Sequence, residues 1–223
     1  MNKLKKNLIV AAVLLAGFAA ALGSYLLLAP DDKGGSGALD ALPAADAKHV
    51  RDSSHRLTAP KKSELTVVEF LDFECEACGA YYPVVEKLRE EYGDRVTFVA
   101  RYFPMPGHRN GELSARTAEA AARQGKFEEM YNKLFTTQKE WGESQDWKQD
   151  VFRGYAKDLG LNMRKFDTAL ADPDLAGRVQ SDQRDGLALG VQGTPTFFLD
   201  GERISNPGSY EEFRALIEDR LSD

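Results

Sequence analysis

Polar and apolar positions follow different rules in successive parts of the chain, and the changes divide it. Residues 1–7 carry Lys3, Lys5 and Lys6 and no acid, and residues 8–29 (LIVAAVLLAGFAAALGSYLLLA) then run without a charge. About 20 apolar residues cross the hydrocarbon layer of a bilayer. Lysines just ahead of such a span stay cytoplasmic. Residues 1–30 are therefore expected to form a single-pass membrane anchor with the rest of the chain outside the cytoplasm; Ala19-Ala20-Ala21 keeps a cleaved signal segment open as the alternative. Residues 31–62 are rich in Gly, Ala, Ser, Asp and Pro. They predict a flexible linker spanning roughly 30 Å, in which His49 and His55 read as solvated.

Residues 63–223 carry the pattern of a folded domain. Leu65 to Phe73 (LTVVEFLDF) is a near-continuous apolar run rich in β-branched and aromatic residues, which predicts a buried central strand. Cys75 to Tyr92 keeps apolar residues at helical spacing, with Pro83 expected to kink the helix and Gly93 to end it. Arg95 to Phe103 predicts a second strand, and strand, helix, strand is a βαβ unit with a parallel, covered sheet. Helical segments follow around Ala115–Gln124, Phe127–Thr137, Gln149–Leu159, Lys165–Leu170 and Leu175–Leu189, an insertion of about residues 110–190 without a strand. Pro195–Asp200 and Glu202–Ile204 around Gly201 predict a β-hairpin, and a last helix runs from about Tyr210 to Leu221. The fold class is α/β.

Composition narrows the chemistry. The 223 residues hold 29 Lys+Arg against 35 Asp+Glu, a net charge of −6. With a pI near 5.3, nothing attracts a phosphate backbone, so nucleic acid is excluded as a partner. The two cysteines are Cys75 and Cys78. A disulfide that encloses two residues constrains the unfolded chain little, so the pair points to chemistry. Zinc needs two further ligands, and His108 is the only histidine outside the linker; no metal or organic cofactor is expected. Cys75 falls in the first turn of its helix, where free N–H groups favour a thiolate. Cys78 falls one turn later on the inner side. Cys75 is thus the exchanging sulfur and Cys78 the resolving one, with a passive disulfide as the plain alternative.

The segment FLDFECEACGAYYPVVEKL resembles the active-site region of the DsbA-like thiol:disulfide oxidoreductases, a branch of the thioredoxin superfamily. Gly193-Thr194-Pro195-Thr196-Phe197 resembles that family's cis-proline loop, which packs against the redox cysteines. The resemblance covers about residues 63–223 and implies a thioredoxin-like fold with a helical insertion. It further implies a cis Thr194–Pro195 bond, with both residues binding an extended substrate peptide. Glu69 interrupts its apolar strand, where an unpaired carboxylate is costly; the resemblance implies a proton shuttle for Cys78, and an edge or bulge position is the alternative. Asp72 and Glu74 read as solvated. Glu76-Ala77 departs from the Pro-His pair of the strongly oxidising members, and with Glu74 and Glu76 close by the expectation is a raised Cys75 pKa and a weaker oxidant. His108 reads as a loop or cap residue, although the family often has His there, near the sheet's active end. Trp141 and Trp147 read as packing residues of the insertion with some exposed edge, a substrate groove being the alternative.

Together these readings predict a membrane-tethered extracytoplasmic oxidoreductase that forms disulfides in exported, cysteine-containing proteins. A quinone-linked re-oxidase or a membrane electron donor would be its redox partner. The alternatives are a reductase or isomerase, and a redox-inactive binding module.

Overall fold

A computed structural model describes residues 46–222. The expected anchor, residues 1–30, and the start of the linker lie outside these. Among the described residues no helix is long and apolar enough to cross a membrane.

Among the described residues five strands form one mixed sheet in the order β1-β3-β2-β4-β5. They are β1 (His55–Arg56), β2 (Leu65–Leu71), β3 (Val96–Tyr102), β4 (Thr196–Leu199) and β5 (Glu202–Arg203). Helix α1 (Glu76–Tyr92) crosses from β2 to β3, which run parallel in the register Leu65↔Val96 to Leu71↔Tyr102. β4 pairs antiparallel with β2, Glu69 lying opposite Phe197, and turns through Asp200 and Gly201 into β5. Gly201 takes a φ of 85° and Asp200 one of 46°, so the two-residue turn uses the left-handed region that glycine tolerates best.

Between β3 and β4 lie α2 (Gly111–Ala122), α3 (Phe127–Thr136), α4 (Gln138–Trp141), α5 (Gln149–Asp158), α6 (Met163–Ala171) and α7 (Pro173–Ala188). Helix α8 (Tyr210–Ser222) closes the described chain. The expected insertion is therefore present, with the extra short helix α4. Asp172 caps α7 by accepting from Asp174 N, and Pro173 opens the helix where no donor is needed.

The period of two in the strands divides the core. Leu65, Val67 and Leu71 join Phe98, Phe197 and Leu199 in the larger cluster, with Leu88 of α1 and Phe213 and Ile217 of α8. Val68 and Phe70 face the other way, with Val99, Phe103 and Phe198. Glu69 shares the phase of Val67 and Leu71 and so lies on the α1 side of the sheet.

The linker reading fails for residues 46–62. β1 pairs antiparallel with β3 through His55↔Ala100 and Arg56↔Val99. Arg101, fully buried, donates to the carbonyls of Lys48 (2.8 Å) and His49 (2.6 Å) and pairs with Asp182 (2.7 Å) and Asp185 (2.6 Å). Arg51 reaches the same Asp185 at 2.5 Å. The segment is mostly polar, but long-range partners satisfy its groups, and Leu57 and Val50 add apolar contacts to the two core clusters. Nor are its histidines solvated: His55 stacks on Phe127 at 3.7 Å between centroids and bonds Glu119, and His49 packs edge-on against Phe198.

Candidate active site

The site is built where β2 gives way to α1. Asp72 shapes the turn: its carbonyl accepts from Cys75 N (3.1 Å) and its Oδ1 from Glu74 N (2.9 Å). Cys75 then stands at the cap position in an extended conformation (φ −68°, ψ 119°), before the first helical residue Glu76. No side chain caps the helix, so the amides of its first turn are directed at the Cys75 sulfur.

Both cysteines are free thiols; Cys75 is half-buried and Cys78 buried on the inner side of α1. Their acidities diverge. The hydrogen bond from Cys78 is the largest effect on Cys75, followed against burial by the Thr194 side chain and the amides of Cys78 and Ala77, and its pKa is lowered to about 5. As a thiol, Cys75 donates to the carbonyl of Thr194 at 3.3 Å. The hydroxyl oxygen of Thr194 is then buried without a partner, so it is free to turn to the sulfur once Cys75 ionises. Cys78 moves the other way: burial, the bond to Cys75 and the charge of Glu69 push its pKa well up.

The expected rise in the Cys75 pKa is thus reversed. Local donors outweigh the missing imidazole of the C-x-x-C dipeptide, Glu74 is engaged elsewhere, and Glu76 is exposed to solvent. Asp72 and Glu74 are buried, 2% exposed each, and not solvated. Asp72 Oδ2 accepts from Met105 N (2.8 Å) and bonds His108 Nδ1 (2.6 Å), while Glu74 Oε2 accepts from Asn110 N (2.6 Å). His108 is therefore more than a loop residue. Its bond to Asp72 raises its pKa against partial burial, and a charge on Cys75 raises it further, so an imidazole does sit beside the site, supplied by the β3–α2 loop.

Glu69 lies within the sheet, buried, and its pKa is raised to about 8, first by burial and then by Glu86 and Cys75. It is neither an edge nor a bulge residue: both neighbours of β2 pair with it. The Thr194–Pro195 bond is cis. Beside it an open groove of about 640 Å³ is lined by Gly193, Thr194, Pro195, Thr196, Arg203 and Asn206, and Asn206 holds the Pro195 carbonyl at 2.8 Å.

The two tryptophans separate. Trp141 is fully buried against Phe152, but Trp147 is 63% exposed under the Arg109 guanidinium, contrary to the packing reading. Sequence reasoning also missed Gln138, whose amide reaches the carbonyls of Phe73 and Cys75 from 65 and 63 residues away. Nothing in its own segment, Thr-Gln-Lys-Glu, signals that contact.

A family model described as thioredoxin matches residues 57–219. Three solved structures share the fold. A thioredoxin-like oxidoreductase from Silicibacter pomeroyi is 22% identical with a TM-score of 0.66, covering 78% of this chain and 95% of that one. Oxidised BdbD from Bacillus subtilis is 23% identical with a TM-score of 0.64, covering 74% and 92%. For alpha-DsbA1 of Wolbachia pipientis the figures are 17%, 0.69, 78% and 93%. Among curated proteins, an Na(+)/H(+) antiporter NhaA of Herminiimonas arsenicoxydans is 33% identical over 87% of this chain, and NhaA 3 of Salinispora tropica 37% identical over 77%. The chain spans only 30% and 24% of those relatives. With the thioredoxin match taking in β2 through most of α8 and the helical insertion in place, this chain belongs to the thioredoxin family and has the fold of its DsbA-like members.

Proposed function

We propose that this protein is a thiol:disulfide oxidoreductase that donates a Cys75–Cys78 disulfide to cysteine-containing exported proteins. The observation that carries the reading is the split acidity of the two thiols, with Cys75 lowered to about 5 and Cys78 raised. A dithiol whose exchanging member is stabilised as a thiolate holds electrons readily, which makes its disulfide an oxidant.

In the forward reaction a substrate thiolate attacks the Cys75 sulfur of the disulfide, and the bond to Cys78 breaks, with Cys78 leaving as a thiolate. Glu69, beneath it and protonated below about pH 8, supplies the proton. A second substrate thiolate then attacks the substrate sulfur of the mixed disulfide, and Cys75 leaves as a thiolate. The substrate loses two electrons and the protein gains them. Thr194 and Pro195 border the groove in which the substrate segment lies, and the chemistry of the two thiols requires no metal or organic cofactor.

Work outside the cytoplasm, anchoring through residues 1–30, and a membrane re-oxidase belong to the same reading. The matching antiporters, which carry the segment within far longer chains, support a placement beside a membrane.

The test is the redox equilibrium of the full-length protein with glutathione, with Cys78→Ser used to trap mixed disulfides. A potential well above about −270 mV, the thioredoxin value, supports the disulfide donor. A value at or below it favours a reductase, and failure to cycle leaves a binding module.

A further inference from the structure

The reactive turn is gripped from the helical insertion by one side chain. Gln138 opens the four-residue helix α4 and is nearly buried. Its Nε2 donates to Phe73 O at 2.7 Å and to Cys75 O at 2.8 Å, which uses both of its hydrogens. The Cys75 carbonyl also accepts from Gly79 N at 3.0 Å, so two donors converge on its two lone pairs. Gly79 is what lets the amide in: a Cβ there would stand 2.0 Å from Gln138 Oε1 and 2.8 Å from its Cδ. The other side of Gln138 is fixed as well. Gly142 N donates to its carbonyl at 2.7 Å, and a Cβ on Gly142 would fall 2.9 Å from that oxygen.

We propose that Gln138 is a positioning residue for Cys75, and that Gly79 is its matched partner, left without a side chain so that the amide can hold the turn. The proposal rests on the redox reading of the cysteine pair. Its physical content is electrostatic as well as steric. The two carbonyls belong to the turn that carries the thiolate, and a donor shared between them offsets their negative ends. The same grip fixes the cap geometry through which the Cys78 and Ala77 amides reach the sulfur. Without Gln138, the Phe73 carbonyl is left buried and loses this donor, the turn relaxes, and the thiolate loses support that the disulfide form never needed.

The experiment uses the full-length protein with Gln138→Met, Gly79→Ala and the double variant. It reads the Cys75 thiolate by ultraviolet titration, the equilibrium with glutathione, and urea unfolding of both redox forms. Gln138→Met is expected to raise the Cys75 pKa by about one unit. It should also make the disulfide about tenfold harder to reduce, about 30 mV in potential. Gly79→Ala, which keeps the glutamine but displaces its amide, reproduces both shifts, and the double variant adds little to either. If Gln138→Met fails to fold, Gly79→Ala carries the test alone. Equal destabilisation of both redox forms with pKa and equilibrium unchanged would overturn the proposal, as would additive effects of the two substitutions. A wild-type Cys75 that titrates near 5 but never exchanges with glutathione sinks the redox reading instead, and the titration still judges Gln138.

Discussion

Cys75 and Thr194 meet across 119 positions of sequence, the thiol donating to the Thr194 carbonyl at 3.3 Å. The first prediction follows from the donors around that sulfur, the Cys78 thiol above all, then the Thr194 hydroxyl and the amides of Cys78 and Ala77. In the reduced protein, alkylation of Cys75 should rise with pH around a midpoint of about 5, where an ordinary cysteine titrates near 8.5. Because the folded pKa is depressed, the thiolate stabilises the reduced form fully above the unfolded value, and that stability is lost as pH falls towards 5. The disulfide form has no such dependence. A midpoint near 8 would remove the basis for an oxidising pair.

Glu69 carries the opposite sign. The folded protein keeps its proton up to about pH 8, while the unfolded chain releases it near 4.5, so unfolding releases a proton between these values. Stability should decline as pH rises through that window. Glu69→Gln is expected to flatten this slope and to gain about 1–3 kcal/mol at pH 9. If Glu69 serves Cys78, the same variant slows substrate oxidation about a hundredfold. Denaturant melts across pH and stopped-flow exchange rates read the two effects separately.

Arg101 predicts a large loss from one substitution. Arg101→Ala leaves buried Asp182 only Arg178 and buried Asp185 only Arg51 as cationic partners, and frees the Lys48 and His49 carbonyls. Removing one partner of a buried ion pair costs about 3–5 kcal/mol. Urea unfolding should register that loss, and hydrogen exchange should quicken first in residues 48–56. A change under about 1 kcal/mol would mean that water already satisfies these carboxylates.

The tryptophans provide an internal control. Trp141→Ala should cost about 3–5 kcal/mol by emptying a core site. Trp147→Ala gives up mainly its contact with Arg109 and should cost about 0.5–1 kcal/mol. Thermal melts of the two variants side by side decide the matter.

What the chain discloses about itself depends on how far apart the partners lie. β2, α1 and β3 follow from local periodicity, and the β4–β5 hairpin from Asp200-Gly201. The placement of Cys75 at the helix start and of Cys78 on its inner side needed only the strand-to-helix junction that precedes them. Asp72 and Glu74 look solvated because charge is read locally, yet amides 33 and 36 residues away bury them. The Cys75 acidity runs against the dipeptide Glu76-Ala77 because it depends on how the folded turn aims the Cys78 thiol, the Thr194 hydroxyl and two amides at one sulfur, which no residue type announces. β1 carries only His and Arg, without an apolar pattern, and is a strand because the edge of β3 and the Arg101 cluster make it one.

Both margins of the sheet are only two residues long, His55–Arg56 on one side and Glu202–Arg203 on the other. A protein that handles unfolded chains meets many exposed segments seeking a ladder to join, and a long bare margin would template their stacking. Here each margin offers a stub with an arginine on it. An oxidoreductase of the kind proposed would thus hold a client by its sulfur without becoming the seed on which that client aggregates.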